Sequence, residues 1–234
     1  MLFRSGGGAV KIIASGTCQI DGTIEANGTN GTYSGTYVAG GGAGGSVYIN
    51  APTISGSGSI SAIGGATNNG DGRQRAGSGG GGKIALIYNT KTFNGTISYY
   101  AGGKSPNTAN NDLWEIYNAG AAGTLFCKKG SYNGNLYVNN NNNNHISMSN
   151  ASENYMIGDN ITYLDLSASN AFDTIFILNE ANLRFKSSTQ NTSVGVIKNY
   201  NNGKIHFETD VTTFSADNII SEDSVYIHNT GTTT

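Results

Sequence analysis

The chain has 234 residues, of which 35 are glycine and only 2 proline, with 12% charged side chains and a formal net charge of −2. That balance leaves no basic footprint for a nucleic-acid partner, and no apolar run approaches the roughly 20 residues that span a bilayer. Short recurrent runs of Ile, Val, Tyr and Thr argue against both a helical bundle and a disordered tail. The length suits one large all-β unit or two modest domains.

The opening residues, "MLFRS", contain no apolar signal-peptide core, and a glycine-rich repeat follows at once. We therefore expect a fragment whose true start is missing, and the lack of a leader does not assign the chain to the cytosol. From residue 6 one pattern recurs four times: a glycine cluster, an alternating strand, then apolar-x-Gly-x-apolar. The copies are "GGGAVKIIASGTCQIDGTIEANG" (6–28), "GGAGGSVYINAPTISGSGSISAIGG" (41–65), "GGGGKIALIYNTKTFNGTISYYAGG" (79–103) and the weaker "GAAGTLFCKKGSYNGNLYVNN" (120–140). Their anchors Ile24, Ile60, Ile97 and Leu136 are separated by 36, 37 and 39 residues. Each copy holds two short period-2 strand signals. A unit this small cannot bury its apolar face alone and must stack on its neighbours. Glycine at the corners tolerates the close backbone approach that stacking about 4.8 Å apart imposes.

The third copy begins inside "GSGGGGKIALIY" (77–88), which matches part of a phosphate loop through Gly77, Gly82 and Lys83. Two features exclude that reading. Ile84 stands where Ser or Thr must hold Mg²⁺. The glycines also lead into a β-rich run, whereas a phosphate loop opens a helix. These glycines serve the backbone.

Beyond about residue 135 the texture changes: 31 of the 35 glycines lie in residues 1–134. Strand signals persist in "ITYLDLS", "DTIFILNEANLRFKSS", "VGVIKNYNNGKIHFETD" and "DNIISEDSVYIHN". Their anchors Leu164, Leu183, Ile205 and Val225 fall 19, 22 and 20 residues apart, the length of one plain coil without an inserted loop. The run "NNNNNN" (139–144) is either a loop or part of an asparagine ladder. We take it as a seam between glycine-rich repeats (1–138) and glycine-poor coils (145–234) that continue the same solenoid.

The alternation of "GGAGGSVYINA" with "GSISAIGG", and of "GGGGKIALIY" with "GTISYYAGG", resembles the glycine-rich repeats of large right-handed parallel β-helix proteins, such as bacterial surface adhesins and phage tail proteins. The resemblance covers residues 6–138 well and the remainder only in general character. It implies an all-β, single-stranded right-handed parallel β-helix with loop insertions, on an extracellular, cell-surface or virion-borne structural protein. It carries over no catalytic residue. Tandem β-sandwiches are the alternative architecture.

Three long insertions, 29–40, 66–78 and 104–119, share one phase of the repeat, and insertions at one phase project from one side of a stack. They hold Tyr33 and Tyr37, then Asp71, Arg73 and Arg75, then Asp112, Trp114, Glu115 and Tyr117. Aromatic faces beside carboxylates and guanidinium forks suit sugars. Equally, Trp114 can be a buried anchor on the flank and the charges ordinary solvated residues. The function expected is a structural or adhesive segment of a larger protein, with cell-surface glycans or neighbouring segments of that protein as partners. The alternative is a carbohydrate-active enzyme, a polysaccharide lyase or glycoside hydrolase, using Asp71 with Asp112 or Glu115.

No cofactor is expected. His145, His206 and His228 share no ligand spacing with one another or with the cysteines, so no metal site is read from them. "GGATNNGDG" (64–72) is only loosely similar to Ca²⁺-binding glycine/aspartate repeats and occurs once. Cys18 and Cys127 lie three repeats apart, on the order of 14 Å by strand stacking. That exceeds the about 7 Å a disulfide permits, so free thiols are expected. Six N-x-S/T sequons, at Asn27, Asn30, Asn94, Asn150, Asn160 and Asn191, are what chance gives in a chain so rich in Asn, Ser and Thr.

Overall fold

A computed structural model describes residues 5–34, 37–67, 77–102, 120–143, 161–165, 171–186, 192–207, 214–222 and 225–227. Among them there is no helix, and so none long and apolar enough to cross a membrane. The first repeat supplies β1 (Ala9–Ile13), β2 (Thr17–Gln19) and β3 (Thr23–Glu25), followed by two short strands, β4 (Tyr33–Ser34) and β5 (Tyr37–Val38). The second supplies β6 (Ser46–Asn50), β7 (Thr53–Ser55) and β8 (Ser59–Ser61), and the third β9 (Lys83–Tyr88), β10 (Thr90–Lys91) and β11 (Thr96–Ser98). Then come β12 (Gly123–Lys129), β13 (Asn135–Asn139), β14 (Ile161–Asp165), β15 (Ala171–Leu178) and β16 (Asn182–Lys186). The series ends with β17 (Thr192–Tyr200), β18 (Lys204–Phe207), β19 (Phe214–Ser221) and β20 (Val225–Ile227).

Each of the first three repeats gives one strand to each of three sheets. The anchors Ile24, Ile60 and Ile97 lie in one register, with β3, β8 and β11 parallel. Cys18 and Ile54 pair in a second parallel sheet, Ile12, Ile49 and Leu86 in a third. Parallel pairing of these strands is not what antiparallel sandwich sheets would show. Ile49, Ile54, Ile60 and Leu86 are fully buried at 0% exposure. Removing each side chain from water contributes about 2 kcal/mol, so these inward residues of the three sheets carry much of the stacking energy.

Leu136 does not join the anchor column. Its strand β13 runs antiparallel to β12, so Leu136 faces Phe126 and then pairs in parallel with Ile175. The two strands are joined by a tight reversal in which Gly130 and Gly134 have φ of +53° and +97°. The result is one eight-stranded sheet, β1-β6-β9-β12-β13-β15-β17-β19, whose two halves run in opposite directions.

The halves also bury opposite faces. Residues directly opposite in an antiparallel pair share a face. Leu125 belongs to the core of the first half, and its partner Tyr137 packs against that same core. Leu136 belongs to the core of the second half, and its partner Phe126 packs there. The first core therefore lies on one face of the sheet and the second core on the other.

In the second half β14, β16, β18 and β20 form a parallel sheet that closes over the second core. Leu183, Ile205 and Val225 share a register as spaced, but Leu164 pairs with Phe185, and Thr162 takes the place opposite Leu183. A slip of two residues keeps every side chain on its face, so alternation alone does not detect it.

The asparagine run forms ordered turns over its described part. Asn141 and Asn142, Asn179 and Glu180, and Asn201 and Asn202 all have φ between +52° and +63°. In each pair the flanking residues close an i to i+3 hydrogen bond: Asn143 N–H to Asn140, Ala181 N–H to Leu178, Gly203 N–H to Tyr200. Two successive left-handed residues define a type I′ turn, which Asn tolerates best after Gly. The turns are linked by amides, Asn179 Nδ2 donating to Asn139 Oδ1 and Asn201 Nδ2 to Asn179 Oδ1, both at 3.1 Å. The ladder reading of the tract holds for Asn139, and the turns it joins are tight.

Candidate functional site

The corner that bears the insertions is built from glycine. Segments ending one repeat alternate with segments opening the next, in a hydrogen-bonded zip. Gly42 N–H donates to the Thr29 carbonyl (2.8 Å), Gly65 N–H to Gly42 (2.7 Å), Gly79 N–H to Gly65 (2.9 Å) and Gly102 N–H to Gly79 (2.8 Å). A Cβ at Gly65 would run into the Thr29 carbonyl oxygen, and one at Gly102 into that of Gly65. Only glycine leaves room for a neighbouring backbone on both sides.

The bases of the insertions are held together at this corner. Gly31 N–H donates to the Ala66 carbonyl (2.7 Å), Gly41 N–H to Gly77 (3.0 Å), and Gly120 N–H to Ser78 Oγ (2.8 Å). Asn30 Oδ1 accepts from Ala66 N–H (2.9 Å), and Asn27 Oδ1 from Ile63 N–H (2.8 Å) and Ser61 Oγ (2.6 Å). Two of the sequon asparagines thus act as brackets between layers. Tyr33 and Tyr37 lie on the β4–β5 hairpin, where Tyr33 pairs with Val38 and Ser34 with Tyr37. Their side chains, and Asp71, Arg73, Arg75, Asp112, Trp114, Glu115 and Tyr117, lie outside the described residues.

A second cluster surrounds Cys127, which packs against the first core. Burial pushes its thiol up to about 11, with Lys91 opposing. Burial also raises the Tyr88, Tyr99 and Tyr137 hydroxyls, each beside Cys127, and the Asn139 side chain partly offsets the shift at Tyr99. Such a thiol is protonated at neutral pH and is a poor nucleophile or metal ligand. Both cysteines are free. No group of three His, Cys, Asp or Glu side chains that could hold a metal ion occurs among the described residues.

Elsewhere the aromatic side chains stack along the sheets. Tyr137 and Phe176 lie 4.6 Å apart with planes at 3°, and the Lys198 ammonium sits 5.6 Å from the Phe176 centroid. The Phe176 ring therefore stacks on Tyr137 and has the Lys198 ammonium near its π face. On the opposite sheet the Arg184 guanidinium sits 5.8 Å from the Tyr163 centroid, with His206 next to Arg184 in register. Sequence reading did not find these columns, because their members are separated by whole repeats. Compared with protein-family models, curated proteins and solved structures, the chain matches none.

Proposed function

We propose that this chain is a right-handed parallel β-helix segment of a larger cell-surface or phage-tail protein, serving as scaffold and adhesive. The observation that carries the reading is the stacked base of the insertions. Gly31 to Ala66, Gly41 to Gly77 and Gly120 to Ser78 bring three loops out at one corner of a repetitive framework. A framework of this kind offers consecutive loops as one extended surface. The residues those loops contain, Trp114 with Tyr33, Tyr37, Asp71, Arg73, Arg75, Asp112, Glu115 and Tyr117, suit a glycan.

A glycan array followed by analysis of the recovered sugar tests the proposal. Binding that is lost in Trp114→Ala, with the glycan recovered intact, is the expected result. Cleaved products that vanish in Asp71→Asn or Glu115→Gln would replace adhesion with a carbohydrate-active enzyme. No binding to any glycan would reduce the role to a spacer.

A further inference from the structure

The sequence contains six Asn–Gly pairs, which begin at Asn27, Asn30, Asn69, Asn94, Asn133 and Asn202. Such a pair is open to spontaneous deamidation, because glycine has no side chain to obstruct attack by its own amide nitrogen on the asparagine side chain. That attack needs the glycine N–H to be unengaged. Asn69 lies outside the described residues, and four of the five other pairs have the N–H held. Gly28 N–H donates to the Ile63 carbonyl (2.8 Å), Gly31 N–H to Ala66 (2.7 Å), Gly203 N–H to Tyr200 (3.3 Å) and Gly134 N–H to Asp173 Oδ2 (2.9 Å). At Asn27 and Asn30 the side-chain Oδ1 is held as well, by Ser61 and Ile63 and by Ala66. Asn94 differs on both counts. It is exposed, and neither its carboxamide nor the Gly95 N–H makes a hydrogen bond among the described residues. The chain on either side is anchored, Asn94 N–H to the Gly56 carbonyl (3.0 Å) and Thr96 N–H to Gly58 (3.1 Å). We infer that Asn94 is a modification site, the one of these five pairs that deamidates in the native protein.

In the reaction the Gly95 nitrogen attacks Asn94 Cγ. The N–Cγ bond forms, the Cγ–Nδ2 bond breaks, and ammonia leaves with the proton that Gly95 gave up. Water then opens the cyclic imide at either carbonyl, leaving aspartate or isoaspartate. Asn94 stands at the corner between β10 and β11, and the register of Thr96, Ser59 and Thr23 places it in line with Ser57 and Asp21. Ser57 N–H already donates to Asp21 Oδ1 there (3.2 Å). Either product adds a negative charge to that corner. Isoaspartate also adds one carbon to the main chain between buried Phe93 and Ile97 of the anchor column, where the strands are held in register. The inference is independent of whether the loops bind glycan.

Incubation in heavy-oxygen water followed by peptide mapping compares the five pairs within one sample, at about pH 8, below the range in which the Cys127 cluster ionises. Native Asn94 should convert at least about tenfold faster than the other four, because each of those must first give up a hydrogen bond. In denaturant the five rates should converge. Asp173→Ala removes the acceptor of the Gly134 N–H and should raise Asn133 toward the Asn94 rate. The Asp173 N–H bond to the Gly134 carbonyl (2.8 Å) stays in place in that variant. Matching circular dichroism and thermal unfolding would show that it folds, and the wild-type comparison stands without it. Native Asn94 that converts no faster than Asn27 or Asn30 overturns the proposal. So does a native ranking that persists in denaturant, or an unchanged Asn133 in folded Asp173→Ala, since either would remove the glycine hydrogen bond as the cause.

Discussion

Phe126 and Leu136 face each other across the β12–β13 junction and pack on the same face of the sheet, although the strand that carries Phe126 chiefly serves the other core. Leu136 is buried within the second core, while Phe126 comes from a strand whose inward residues, Leu125 and Cys127, serve the first. Phe126 also meets Phe172 edge to face at 6.1 Å. The junction thus couples the two cores through a single pair of strands. Leu136→Ala should cost about 2–4 kcal/mol in urea unfolding, as for other buried leucines. A loss under 1 kcal/mol would show that the junction bears little load.

Glycine at the corner is a steric requirement, and two positions separate that claim from composition. Gly65→Ala drives a methyl into the Thr29 carbonyl, whereas a Cβ at Gly16 meets nothing within 4 Å. We expect Gly65→Ala to destabilise by about 1–3 kcal/mol or more, as overpacking does. Gly16→Ala should stay within about 0.5 kcal/mol of wild type. Equal effects in thermal unfolding would refute the zip.

The asparagine ladder makes a paired prediction at Asn179, which has φ +53° and two amide hydrogen bonds to other layers. Asn179→Gly keeps the backbone and loses the bonds, at about 1–2 kcal/mol. Asn179→Ala loses the bonds and, unlike Gly, keeps a Cβ in the left-handed region without the polar side chain that lets Asn tolerate it, at roughly 1 kcal/mol more. If Ala were as stable as Gly there, the turn could not be type I′.

Alkaline pH should unfold the protein early. The Cys127 thiol is raised from 9.0 to about 11 by burial, and the Tyr88, Tyr99 and Tyr137 hydroxyls are raised with it. Above the ordinary thiol range the unfolded chain ionises while the folded chain stays protonated. The contribution is therefore fully present below about pH 9 and lost as pH rises through about 11. Denaturant midpoints measured from pH 7 to 11 should fall above pH 9, less steeply in Cys127→Ala. A midpoint flat across that range would contradict the buried cluster. For the same reason native Cys127 should resist alkylation at pH 8 far longer than in denaturant.

The all-β class, the parallel register of Ile24, Ile60 and Ile97, and the steric role of the glycines were legible from local pattern. Each rests on alternation within a repeat or on the constant spacing between repeats, and such patterns survive without knowledge of the partner. The expected stacking of Leu136 failed because "GTLFCKKGSYNGNLYVN" alternates identically whether its two strands run parallel in successive sheets or fold back as a hairpin. The choice was made by the reversal at Gly130–Gly134, and with it the exchange of core faces that neither half encodes alone. The two-residue slip at Leu164 escaped notice because it preserves the face, and the run at Asn139 stayed open between loop and ladder because the amides of Asn139, Asn179 and Asn201 meet only between layers. The site residues themselves were chosen by chemistry and by the phase of the insertions. The structure shows where the loops are rooted, while seven of the nine lie outside its described residues. Sequence determines what each layer can bury; tertiary structure decides which layer it is buried against, because strand direction and core face depend on contacts far apart in the chain.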